Sequence, residues 1–207
     1  MELILVHGAL VRDGQWRWQR TGEMLHKHTG IRSGAIALPS CGEVAPEEVA
    51  GGLVADAAVL RGELDEVDSA LVVGHSYGGT VIAEGDPVPI GDNGDNGDGT
   101  LSVSGYDATS FGARFLQDAD VETRHQAWAR VVAQAAGAFT TPTSSAGWEG
   151  IDSTYIICGQ DRSTSVELQR FHASRATHCI ELQTGHHPFI SRPDLVVEQV
   201  LELLQRG

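Results

Sequence analysis

A serine stands between two glycines in Gly74-His75-Ser76-Tyr77-Gly78, after the apolar run 70–73 and before Thr80-Val81-Ile82-Ala83. Strand, sharp turn and helix in that order lift a serine to the carboxyl edge of a sheet as a nucleophile. Positions 74 and 78 call for glycine because side chains there would collide where strand and helix cross. Ser76 is expected in strained backbone, its hydroxyl clear of its surroundings. The helix's first amides and dipole would lie beneath a developing oxyanion. A serine hydroxyl also needs a base within hydrogen-bond reach. Of nine histidines, His186 is the best placed: Gly185-His186-His187-Pro188 follows the run 179–182 and precedes a closing helix. The carboxyl end of a strand is where an α/β sheet builds its site. His187 is the competitor; His186 is favoured because it stands two before Pro188. His75 is expected to point away from Ser76, and His7 to brace the loop leaving the first strand. His26, His28 and His125 fall on helix surfaces, and His172 and His178 flank the last strand without a glycine-rich turn. The orienting acid is Asp161, just after the run 155–158, with Asp152 at the opposite edge of the sheet. The competing role for Asp161 is N-cap of a helix over 163–172. The backbone amides of Ala9 and Tyr77 are the expected oxyanion donors.

The elements that must position these residues are short continuous apolar runs separated by helical patterns. Runs 3–6, 70–73 and 155–158 read as buried parallel strands, with 35–38 and 179–182 as two more. Helices are expected over 16–28 after Asp13, over 47–60 after Pro46, over the Ala-rich 121–136, and over 194–204 after Pro193. Strands alternating with helices imply an α/β protein with a parallel sheet covered on both faces. The stretch 85–105 does not fit, being crowded with Asp, Asn and Gly. Asp92, Asp95 and Asp98 recur every third residue, whereas a calcium loop wants ligands at alternate positions; with Gly99 sixth, Gly94 would stand first, where an Asp is required. A mobile solvated loop is the expectation.

The chain has 207 residues, enough for one domain with a sizeable core. A formal charge of −14 argues against nucleic acid and against anionic membrane surfaces. No apolar run is long enough to span a bilayer, and no basic and apolar leader precedes the first strand, so a cytoplasmic setting is expected. Cys41, Cys158 and Cys179 have no C-x-x-C spacing and read as free thiols.

With those residues in place the chain resembles the α/β-hydrolase superfamily, and within it the small esterase branch of plant methylesterases, hydroxynitrile lyases and their bacterial relatives. The matching pieces are LVHGA at 5–9, WRWQR at 16–20, GHSYGG at 74–79, TYIICGQDRS at 154–163 and TGHHPFISRPDLV at 184–196. The resemblance implies a single α/β-hydrolase domain over 1–207, a mostly parallel central sheet with helices on both faces, and a triad of Ser76, Asp161 and His186 with oxyanion amides at Ala9 and Tyr77. It implies a serine hydrolase that cleaves a small carboxylic ester through an acyl-enzyme, with no metal or organic cofactor. Tyr106, Phe111, Phe115 and Trp128 lie where a lid belongs and are expected to line the substrate pocket, along with Phe139; core packing is their other role. Two departures stand out. The lyases carry a lysine just after the catalytic histidine, where this chain has His187. The family also places a hydrophobic strand between the elbow helix and the lid, and only 101–103 offers to fill that slot. The region 85–140 is therefore expected to be atypical, with residues missing around 84–91 and a reduced lid. Other readings are a non-catalytic ligand-binding member, whose mark would be a lost triad residue, or an amidase, lactonase or perhydrolase with the same triad.

Overall fold

The computed structural model describes residues 1–43, 52–83, 93–142 and 146–206. In chain order the elements are β1 (Glu2–Val6), α1 (Gly14–Thr29), β2 (Ser33–Ala35), a 3-10 turn (Pro39–Cys41), α2 (Gly52–Asp65), β3 (Ala70–Gly74), α3 (Tyr77–Ala83), β4 (Asn93–Asp95) and β5 (Thr100–Val103). There follow α4 (Ala108–Phe115), α5 (Val121–Trp128), β6 (Gln134–Ala135), α6 (Gly137–Thr140), β7 (Thr154–Cys158), α7 (Val166–Ala173), β8 (His178–Leu182), α8 (Pro188–Ser191) and α9 (Pro193–Leu204). They gather into two compact units. The first holds Met1–Arg17, Ile31–Gly105 and Arg130–Gly147; the second holds Trp18–Gly30, Tyr106–Ala129 and Trp148–Gly207.

In the first unit β1 is the middle strand of a parallel sheet ordered β2-β1-β3, with Leu3 opposite both Ser33 and Leu71. Leu3, Ile4, Leu5 and Val6 are all buried, as an unbroken apolar run between two neighbours and two covered faces must be. The strand expected over 35–38 forms earlier, at Ser33–Ala35. Ile36 still donates its N–H to the Leu5 carbonyl at 3.0 Å. The N–H of Leu38 instead meets the Glu43 carboxylate at 2.9 Å, and Pro39 starts the 3-10 turn. Ile36 and Leu38 are thus buried without belonging to the strand.

Two further expectations are corrected in this unit. The loop expected around Asp98 is the tip of a hairpin: β4 and β5 pair antiparallel, and β6 adds on the far side of β5. Gly97 and Gly99 take positive φ (76° and 84°), and Asp98 Oδ1 accepts the Thr100 N–H at 3.0 Å, which together reverse the chain. Residues 101–103 are therefore a strand in an antiparallel sheet of their own, not a neighbour of β3. The single helix expected over 121–136 ends at Trp128. Val131 bridges to Val11, and Gln134 and Ala135 pair with β5, so tertiary contacts override the helical preference of alanine. Residues 84–91, Asp92 and the start of the helix expected at 47 lie outside the described residues; from Gly52 that helix runs to Asp65.

In the second unit β7 and β8 pair in parallel, from Thr154 opposite His178 to Cys158 opposite Leu182. Trp18 on α1 stacks on Phe189 with ring centroids 3.9 Å apart, and α9 buries Val196, Val197 and Val200. Arg124 closes the turn between α4 and α5 by donating to the carbonyls of Leu116, Gln117 and Ala119. Gly112 leaves room for the Arg124 stem, which a Cβ would meet at 2.7 Å. Cys41 and Cys158 are buried and Cys179 is exposed, none of them in a disulfide. Burial raises both buried thiols, that of Cys158 to about 12. No helix among the described residues is long and apolar enough to cross a membrane.

Candidate active site

The turn from β3 into α3 has the geometry that its glycines predict. Ser76 is one of three non-glycine residues with positive φ among the described residues, at 52°, and it is exposed. The strain of that conformation is held by neighbours on both sides. A Cβ on Gly78 would drive into the carbonyl of Val6, and one on Gly74 would come within 2.8 Å of the Gly78 carbonyl. Strand, turn and helix therefore cross at a separation only glycine permits. The N–H groups of Gly78 and Gly79 bond back to His75 and Ser76 at 2.8 Å each, which closes the turn.

The loop leaving β1 lies against this turn. A Cβ on Gly8 would meet the Ser76 Cβ at 3.3 Å and His75 Nδ1 at 2.9 Å. Ala9 follows directly, and its N–H carries no hydrogen bond among the described residues. Tyr77 is the first residue of α3, so its N–H has no intrahelical acceptor. Two amides are thus left beside Ser76. His7 is fully buried, with Nε2 on Glu43 at 2.7 Å and Nδ1 on the Gly8 carbonyl at 2.9 Å, so it braces the loop.

The second unit brings together the other two predicted members. Asp161 Oδ2 meets His186 Nδ1 at 2.7 Å, with the Asp161 side chain almost wholly buried. The other carboxylate oxygen, Oδ1, accepts the N–H groups of Ser163 (2.7 Å) and Thr164 (3.1 Å). Asp161 does not cap the helix that follows: α7 starts at Val166 and Ser165 caps it. His187, the competing base, is buried and turned to the Phe115 carbonyl at 2.9 Å. Asp152 pairs with His178 in the open.

Of the four aromatic residues expected to line a pocket, Phe115 stands beside His186, with ring centroids 6.0 Å apart and nearly perpendicular. Tyr106 and Phe111 pack on Phe115 at 5.7 and 4.8 Å, and Trp128 packs on Phe111 at 5.3 Å. Phe111 is buried and behaves as core. Phe139 lies in the first unit, 5.9 Å from Tyr77.

Two residues that hold this arrangement were not singled out in the sequence. Asp118 Oδ2 accepts both the Gly185 N–H and the Ser191 hydroxyl at 2.8 Å, which fixes the loop carrying His186. Buried Gln169 accepts the Cys158 N–H at 2.7 Å and donates to the Thr164 carbonyl at 2.9 Å and to Asp161 Oδ2 at 3.3 Å. Neither lies in a motif. The one available signal was a glutamine at a helix position that must face β7.

The model of the alpha/beta hydrolase family matches residues 3–199. The chain is 25% identical over 241 aligned positions to an alpha/beta hydrolase, nvfD, of Aspergillus novofumigatus (strain IBT 16806), covering 96% of this chain and 94% of that protein. Since 96% of 207 residues is about 199, roughly forty of those positions have no counterpart here. Among solved structures it is similar to a pyrethroid hydrolase from Sphingobium faniae JZ-2, with a TM-score of 0.79, 16% identity and coverage of 98% of this chain and 96% of that one. A methylesterase from Arabidopsis, MES16, matches with a TM-score of 0.77 and 16% identity over the full length of both chains. At these identities the likeness is one of fold, the α/β-hydrolase fold with helices and parallel sheets.

Proposed function

Since the chain belongs to the alpha/beta hydrolase family, we propose that it is a serine hydrolase that cleaves a small, rather apolar carboxylic ester. The observation that carries this reading is Ser76 itself, held exposed at positive φ by glycines that cannot be replaced. The Asp161–His186 bond supports the assignment of acid and base. Ser76 Oγ attacks the ester carbonyl while His186 Nε2 takes its proton. Asp161, accepting the Nδ1–H, holds the imidazole in the required tautomer and stabilises the imidazolium. The amides of Ala9 and Tyr77 receive the developing oxyanion. His186 then protonates the leaving alcohol, and the acyl group stays on Ser76. Water, deprotonated by His186, attacks the acyl-enzyme and releases the acid and free Ser76.

On this reading residues 1–207 act as one hydrolase domain, with Phe115 and Tyr106 as walls against the substrate. Three cysteines outside any disulfide support a reducing, cytoplasmic setting. The test is hydrolysis of short p-nitrophenyl esters by the wild type and by Ser76→Ala. The substitution is expected to lower turnover by roughly 10⁴-fold or more. Equal rates for the two proteins would end the proposal.

A further inference from the structure

Behind the turn that carries Ser76 lies a chain of buried polar groups. Asp56, on α2, is fully buried and accepts three hydrogen bonds: from the Ser40 N–H (2.9 Å), the Ser40 hydroxyl (2.5 Å) and the Tyr77 hydroxyl (2.6 Å). Gln134, on β6 and fully buried, donates from Nε2 to Ser40 Oγ at 2.8 Å. Its Oε1 accepts the N–H of Leu10 at 2.7 Å. The polarity runs one way, since Gln134 donates to Ser40 and Ser40 donates to Asp56. This fixes which end of the Gln134 amide faces Leu10.

The two ends of this chain are informative. One is Tyr77, directly after Ser76; the other is Leu10, directly after Ala9. Leu10 is held at φ 59°, a conformation that leucine adopts only under constraint, and its carbonyl is also tied, to the Val132 N–H at 2.9 Å. A buried carboxylate is costly, and burial raises the proton affinity of Asp56 even against the hydrogen bonds from Ser40 and Tyr77. A network kept at such cost, far apart in sequence and complete in its pairings, rigidifies what it joins.

We propose that Asp56, Ser40 and Gln134 are positioning residues that fix the amides of Ala9 and Tyr77 against each other as one oxyanion-binding unit. This rests on the ester-hydrolase reading, in which those amides receive the oxyanion. The brace acts on the transition state and leaves ground-state ester binding alone.

The experiment measures kcat and KM for p-nitrophenyl acetate, and inhibition by a trifluoromethyl ketone whose hemiketal oxyanion occupies the same donors. It compares the wild type with Gln134→Met, Tyr77→Phe, their double variant and Ser76→Ala; Tyr77→Phe keeps the backbone amide and ring. Displacing a donor without deleting it is expected to cost about tenfold in kcat, less than the 10²–10³ for outright loss of a donor. KM is expected to hold within about twofold, and the ketone's affinity to fall in step with kcat/KM. The double variant should lose about as much as the worse single one, because the groups act as a unit. Thermal melting of each variant separates misplacement from unfolding. Variants that keep kcat and ketone affinity while melting lower, or that raise KM with kcat unchanged, overturn the brace and leave Ser76 catalysis standing. A wild type with no Ser76-dependent turnover overturns both.

Discussion

Glu43 shows how one carboxylate can hold a loop. It receives His7, the Leu38 N–H and the Asp13 N–H, so three segments of the first unit meet on one side chain. Burial alone would raise its pKa, but these donors, His7 foremost, outweigh that and hold it below the ordinary 4.5. The unfolded chain therefore binds this proton more readily than the folded one does. The stabilisation is complete above pH 4.5 and is lost as pH falls through the lower folded value. Glu43→Gln is expected to destabilise the chain by about 1–3 kcal/mol at pH 7, with the gap closing below pH 4.5, in urea titrations across that range. At this scale the sequence was most readable where a motif imposes geometry. Gly74, Ser76 and Gly78 stand as their spacing requires, and Asp161 meets His186 and not His187. Asp56 and Gln134 were overlooked because each is a lone polar residue in an apolar or Ala-rich stretch, and only the fold reveals what they touch. The lone charge in Gly-Leu-Val-Ala-Asp-Ala-Ala-Val-Leu was the signal.

Among the elements, β7 and α7 depend on a single side chain. Gln169 satisfies both backbone groups of Cys158 at the strand's end and the Thr164 carbonyl in the acid's loop. Gln169→Leu would leave the Cys158 N–H buried without an acceptor and is expected to cost about 1–3 kcal/mol by urea unfolding. It should also lower esterase turnover more than KM, since the loop holding Asp161 loses its tie. Elements were legible where one physical demand dominated. Runs 3–6, 70–73 and 155–158 all form strands, although only the first is buried throughout, β3 being half-buried and β7 buried only at Ile157 and Cys158. The closing helix announces itself with Pro193 and its apolar stripe. They were illegible where two demands competed. Ile36 and Leu38 need burial but find it outside the strand, and the alanines after Trp128 suit a helix while Gln134 is claimed by β5 and Leu10. The hairpin around Asp98 was hidden because Asn-Gly-Asp-Gly reads equally as a loose loop and as a tight reversal.

For the molecule as a whole, 28 acidic residues against 14 basic ones set a negative field that disfavours anionic ligands. Exposed pairs such as Arg32–Glu2 and Arg170–Glu181 offset little of it, because solvent screens them. The family match runs from residue 3 to residue 199, although about forty positions of the alignment with the fungal relative have no counterpart in this chain. The distribution of its three cysteine thiols gives the protein a built-in pair of clocks. The native chain should take up one maleimide, at Cys179, while Cys41 in the first unit and Cys158 in the second are shielded and poorly ionised. In mild denaturant, peptide mapping of the later labels would time the opening of each unit separately, with no substitution introduced anywhere.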